Sequence, residues 1–137
     1  MITSKNSLVS CTIPGEPSTV TAQQKGVMVR GGRPMFFTKT KVKTAQDALT
    51  LQLRRHAPRQ PIDYPVLLKI KFVFGRTKSR PFENVHGKRP DLDNLVKGVL
   101  DCLQPAGWLT DDALIDALAV VKSRSDEPRL EVEMREL

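Results

Sequence analysis

Asp91-Leu92-Asp93-Asn94-Leu95-Val96-Lys97, followed after a helix-length spacer by Asp111-Asp112, sets four carboxylates and a lysine within a 22-residue window. Carboxylates held close together repel one another unless a cation sits between them, and several acid oxygens are the ligand set preferred by Mg²⁺ or Mn²⁺. A cation bound in this way polarises a phosphate oxygen and acidifies a bound water. The pattern points to metal-assisted chemistry on a phosphodiester, provided that the rest of the chain can bind a polyanion.

Charge meets that condition. Residues 1–89 carry 17 Lys/Arg against 4 Asp/Glu, a net of +13, whereas residues 90–137 carry 5 against 11, a net of −6. Such asymmetry points to nucleic acid or to an anionic membrane surface. No stretch reaches the roughly 18 to 20 apolar residues of a membrane span, and Met1-Ile2-Thr3-Ser4-Lys5 lacks the apolar core of a signal peptide. A cytoplasmic protein is therefore expected. Cys11 and Cys102 have no metal-ligand spacing and are expected as buried thiols. Aromatic residues make up only 5% of the chain, too few for a broad base-stacking platform.

The elements that must carry the acids can be read from periodicity. The 137 residues suffice for one domain with a modest core. Ser7 to Ile13 alternates weakly and stops at Pro14-Gly15-Glu16-Pro17, a strand and a turn. Residues 18–34 are polar and basic, an exposed loop or a short ribbon from Val27–Arg30 through Gly31-Gly32 to Met35–Phe37. A helix is expected from Thr40 to His56, with Ala45, Ala48, Leu49 and Leu53 inward and Pro58 beyond its end. Val66 to Phe74 alternates most clearly: its even positions are apolar, while Lys69 and Lys71 face water or DNA. Residues 75–89 lack a period and hold Arg76, Lys78, Arg80, Lys88 and Arg89 against Glu83, as a mobile basic loop feeding the acids or as a surface linker. His86 in this loop is either a general acid or incidental.

After Pro90 the period becomes helical, with Leu92, Leu95, Val96, Val99, Leu100 and Leu103 on one face. Capping accounts for either Asp91 or Asp93 but not for both. Asp93, Lys97 and Asp101 recur four apart, so a surface ion-pair row is an alternative role for Lys97. Gln104-Pro105-Ala106-Gly107-Trp108 ends the helix, and strands follow near Ile115–Lys122 and Leu130–Met134. A helix of about 11 residues spans only about 16 Å. If the chain folds back along it, Asp111-Asp112 returns beside Asp91 and Asp93.

Arg89-Pro90-Asp91-Leu92-Asp93-Asn94-Leu95-Val96-Lys97, Leu100-Asp101-Cys102-Leu103, Ala106-Gly107-Trp108 and Asp111-Asp112 together closely resemble the RusA family of Holliday junction resolvases. The resemblance is dense from about residue 88 to 122, thinner over Val66–Phe74 and the C-terminal strand, and only positional before residue 60. It implies a homodimeric α+β fold, a small mixed sheet packed with two main helices. It further implies Mg²⁺-dependent cleavage of four-way DNA junctions by paired symmetric nicks, with Mn²⁺ as a substitute. By position, Asp91, Asp93 and Asp112 match the metal-binding aspartates, Lys97 matches the essential lysine, and Asp111 belongs to the same acidic pocket. Lys69, Lys71, Arg76, Lys78, Arg80, Lys88 and Arg89 would contact the DNA. The basic stretches at about 18–34 and 75–89 depart from the family pattern and bear on which branched DNA is preferred. Two other classes fit parts of the pattern. A non-catalytic nucleic-acid-binding module would leave the second acidic pair unexplained, and a phosphohydrolase of small nucleotides would leave the basic half unused.

Overall fold

A computed structural model describes residues 6–19, 25–30, 32–38 and 40–137, with 25–30 and 33–38 given through their backbone. The strands are β1 (Ser7–Pro14), β2 (Lys25–Arg30), β3 (Arg33–Thr38), β4 (Val66–Gly75), β5 (Ile115–Ser125) and β6 (Arg129–Glu136). The helices are α1 (Thr40–Arg54) and α2 (Leu92–Leu103). Four strands form a mixed sheet in the order β1-β6-β4-β5, and β2 and β3 make a separate two-stranded ribbon. The fold is α+β. The ribbon is the second of the two alternatives expected for the basic stretch, slightly longer than Val27–Arg30 with Met35–Phe37; its register runs from Lys25 opposite Thr38 to Arg30 opposite Arg33.

β4 is the centre of the sheet. It pairs antiparallel with β6 and parallel with β5. Parallel neighbours need a long crossover, and here the crossover is the segment that carries the acids: loop, α2 and a return turn. Alternation along β4 decides which residues face the helices. Val66, Leu68, Ile70, Phe72 and Phe74 are buried in one core with Leu95, Val96, Val99, Cys102 and Leu103 of α2 and Leu53 of α1. Lys69 and Lys71 lie on the opposite face, laterally next to Glu133 and Glu131 of β6. With strands on both flanks, β4 has no free edge.

α1 ends at Arg54, two residues before His56, and its inward face keeps Ala45, Leu49 and Leu53 of the expected stripe but takes Val42 in place of Ala48. Val42 and Leu53 are buried, Ala45 and Leu49 are half-buried and Ala48 is exposed. α2 has the broad apolar face that its period required. Its end is a reversal in which Gly107 adopts φ +84°, and Trp108 N donates to Leu103 O at 3.1 Å. Trp108 is wholly buried, and its indole N–H donates to Leu53 O at 2.7 Å, joining the end of α2 to α1. Cys11 and Cys102 are free and buried, and burial pushes the Cys11 thiol up to about 11.

Candidate active site

The start of α2 carries the first acidic group into the structure, and the short turn before β5 carries the second. Asp91 is the N-cap of α2 in extended conformation; its carbonyl accepts from Leu95 N at 3.2 Å, but its carboxylate makes no capping bond. That carboxylate lies 3.3 Å from Arg89 Nη1 in an exposed ion pair. Capping therefore does not explain why an aspartate stands there. Asp93 follows in the first turn. Asp111 does cap: its carboxylate accepts from Ala113 N at 2.9 Å at the start of a short 3₁₀ turn, Asp112–Leu114, that leads into β5.

Asp93, Lys97, Asp101 and Asp112 line one open concavity between α2 and β5, floored by Val96, Leu100 and Val120. The chain does fold back along α2, and it brings Asp112 to the side chains of the helix. Asp91 stands outside this concavity, on the Arg89 side. Lys97 Nζ lies 3.4 Å from Asp101, so the ion-pair row forms in its second half and faces the same space. The ion pair and the acidic site are one feature. Burial raises the pKa of the Asp112 carboxyl above the ordinary carboxylate value, and the neighbouring Asp101 and Asp111 add to this, opposed by Lys97. Like-charge crowding of this kind is relieved by a bound cation.

Two residues outside the expected catalytic set bear on the site. Asp101, expected only as the end of a surface ion-pair row and as part of the resembling run, faces the concavity. Lys122 of β5 donates to the carbonyls of Lys88 at 2.6 Å and Pro90 at 3.0 Å, bracketing the approach to Asp91. A lone lysine ending the run Ala117–Val121 is its trace in the sequence.

The basic residues divide. Lys69 and Lys71 are on the sheet face away from the concavity. Arg76 is occupied by Asp126 at 2.7 Å and by Asn84 Oδ1 at 2.7 Å. Lys78, Arg80, Lys88 and Arg89 are exposed on the loop that precedes Asp91. That loop is tethered: Arg124 N donates to Asn84 O at 2.8 Å, and Val85 bridges to Ser123. His86 is buried, with its ring 4.6 Å from that of Phe74, and its Nδ1 accepts from Lys88 N at 3.1 Å. Burial, Arg124 and Lys122 all lower its pKa, so it is neutral near pH 7 and serves the loop as a brace.

The family model for endodeoxyribonuclease RusA matches residues 14–135. The chain belongs to the RusA family of endodeoxyribonucleases. It is 28% identical over 119 residues to a crossover junction endodeoxyribonuclease rusA of Lactococcus phage r1t, covering 85% of this chain and 89% of that protein. It is also 30% identical over 142 residues to an uncharacterized protein, YqaN, of Bacillus subtilis (strain 168), covering 94% and 96%. RusA nucleases depend on a divalent metal in general. The donor set of this RusA chain fits such an ion in its chemistry, since the carboxylates of the concavity are hard oxygen ligands crowded enough to disturb Asp112. As they stand, no three acidic, histidine or cysteine side chains among the described residues converge on one point that could hold it. No helix among the described residues is long and apolar enough to cross a membrane.

Proposed function

We propose that this RusA nuclease resolves four-way DNA junctions by hydrolysing one phosphodiester in each of two opposed strands, using Mg²⁺ with Mn²⁺ as a substitute. The observation that supports this most directly is the meeting of Asp93, Lys97, Asp101 and Asp112 in one concavity at the end of a basic loop. Asp91, Asp93 and Asp112 are the residues that would hold the ion, with Asp111 beside them. The bound ion supplies Lewis acidity toward the phosphate and a water acidified for attack.

The chain's own groups do the rest. Lys78, Arg80, Lys88 and Arg89 draw the backbone of the branched DNA toward the carboxylates, an attraction that salt weakens. The Lys97 ammonium, released from Asp101 by the incoming phosphate, stabilises the negative charge that grows on the phosphate oxygens. Water adds to phosphorus, one ester bond breaks, and the products are a phosphate end and a hydroxyl end. Asp111 keeps its capping bond throughout and fixes the turn on which Asp112 sits. Two cuts in opposed strands require two sites related by a two-fold axis, so the working form is a homodimer. Its setting is the bacterial cytoplasm, from a host or phage gene.

The test is cleavage of a labelled synthetic four-way junction with and without Mg²⁺, wild type beside Asp93→Asn. Paired nicks that need both the metal and Asp93 are expected, with junction binding kept by the variant. Tight binding with no cut under any divalent metal would favour a binding module. Hydrolysis of free nucleotides alone would favour a phosphohydrolase.

A further inference from the structure

Phe82 is 90% exposed, and Val85 close by in the loop is 67% exposed. Single exposed apolar side chains are common and usually need no account. This one differs in being held out by its surroundings. On its N-terminal side, Arg80 N donates to Thr77 O at 3.2 Å, closing a turn. Around Phe82 itself, Glu83 N donates to Arg80 O at 3.3 Å, and the Arg80 and Glu83 side chains pair at 3.2 Å. Beyond it, Asn84 is fixed to Arg76 and to the Arg124 backbone, and His86 is buried against Phe74. A loop anchored at so many points presents the ring at its tip as a fixed feature.

Charge identifies the partner. Lys78, Arg80, Lys88 and Arg89 surround the aromatic residue in sequence and are exposed, while the one acid of the loop, Glu83, is paired with Arg80. A second copy of the chain would meet this tip with the same cations and be repelled. A polyanion with an open aromatic face would be attracted on both counts. In continuous duplex DNA every base is stacked on both sides; at a branch point the strands part and a base face becomes available. Phe82 is nine residues before Asp91, so the two lie within about 30 Å even along a fully extended chain, the length of about nine base-pair steps.

We propose that Phe82 stacks on an unpaired or unstacked base at the branch point, and so makes the enzyme select branched over continuous DNA. This rests on the junction-cutting function proposed above. Stacking of one base on an aromatic side chain is typically worth about a tenfold or greater change in affinity, whatever the base.

The experiment uses a four-way junction with 2-aminopurine at the branch point and a duplex of the same sequence, both in EDTA so that no cutting occurs. Wild type, Phe82→Ala and Phe82→Trp are compared after checking that their melting temperatures agree. Phe82→Ala should bind the junction about tenfold more weakly, keep its duplex affinity within twofold and lose most of the 2-aminopurine response. Phe82→Trp should retain junction affinity. Phe82→Ala matching wild type on the junction would overturn the stacking role while leaving the nuclease function intact. A change in sedimentation of the free Phe82→Ala protein would overturn it in favour of a contact between copies. If wild type itself fails to prefer the junction over the duplex, the underlying function fails and the proposal falls with it.

Discussion

The chain enters and leaves the acidic site by two segments built on different principles. The entrance, Lys88 to Asp91, is fixed mainly through side chains: the Lys122 ammonium on two carbonyls and the His86 imidazole on the Lys88 amide. The exit, Trp108 to Asp112, is fixed mainly by backbone, with the Asp111 carboxylate capping the turn at its end. Ile62 N donates to Trp108 O and Thr110 N donates to Ile62 O, both at 3.0 Å, while Trp108 and Leu109 are buried beneath. Backbone pairing over a filled core resists displacement at every residue, whereas a clamp of one ammonium fails all at once. Asp112 is therefore presented by a rigid support and Asp91 by an adjustable one. An adjustable ligand beside a fixed one is a physical route by which carboxylates that do not converge at rest can close on a cation.

Lys122→Met is the sharpest way to break this asymmetry. It keeps the aliphatic stem and removes both hydrogen bonds, leaving the Lys88 and Pro90 carbonyls to water. Groups that orient metal ligands without touching the metal typically change metal affinity by about 10- to 100-fold. The Mg²⁺ concentration for half-maximal cleavage should rise by about that factor, and Mn²⁺ binding measured by calorimetry should weaken in parallel, with Lys122→Arg recovering part of both. An unchanged metal requirement would mean that the entrance needs no clamp.

Trp108→Phe perturbs the exit instead and should have the opposite signature. The indole shrinks to a phenyl ring, which leaves a void in the core, and the Leu53 carbonyl loses its 2.7 Å indole donor while keeping His56 N at 3.0 Å. The lost hydrogen bond costs about 0.5–1.5 kcal/mol and the void adds to it, so thermal melting should fall by several degrees. Metal dependence of the surviving folded enzyme should stay within about twofold, because the backbone pairs with Ile62 remain. A weakened metal response from Trp108→Phe as large as that from Lys122→Met would erase the distinction between the two segments.

How much of this was legible in the sequence follows the same division. The alternation of Val66 to Phe74 and the face of α2 are local patterns, and both elements form where those patterns lie. Asp93, Lys97 and Asp112 could be grouped because a short helix followed by a reversal leaves little choice of place. α1 was harder: an alanine such as Ala48 suits either side of a helix, and only tertiary packing turned Val42 inward. Lys122 and Asp101 could not be assigned their surroundings, because the first depends on how β5 lies against the loop and the second on where Asp112 returns. The tethers of residues 75–89 are long-range as well: Arg76 with Asp126, and Asn84 with Arg124. Alternation placed Lys69 and Lys71 together on the face away from the helices, but nothing local says on which side of the sheet the acids will come to lie.

The smallest effect concerns Asp112 on its rigid support. In the folded chain its carboxyl holds a proton more tightly than an ordinary aspartate, through burial first and then Asp101 and Asp111. A raised acid stabilises the fold while it is protonated, and that contribution is lost as pH rises through the folded-state pKa. At pH 7 without divalent metal, the charged Asp112 is thus a slight burden, reduced by solvent because the residue is exposed. Asp112→Asn should therefore melt about a degree or two higher than wild type in EDTA at pH 7. The advantage should vanish as pH falls below the range in which aspartates of the unfolded chain protonate. Added Mg²⁺ should reverse the order, because a ligand that binds the folded state stabilises only the protein able to hold it. Lower melting of Asp112→Asn in EDTA would show instead that the carboxylate braces its own turn, and the exit would then rest on a second side chain besides the Asp111 cap, which would narrow its difference from the entrance.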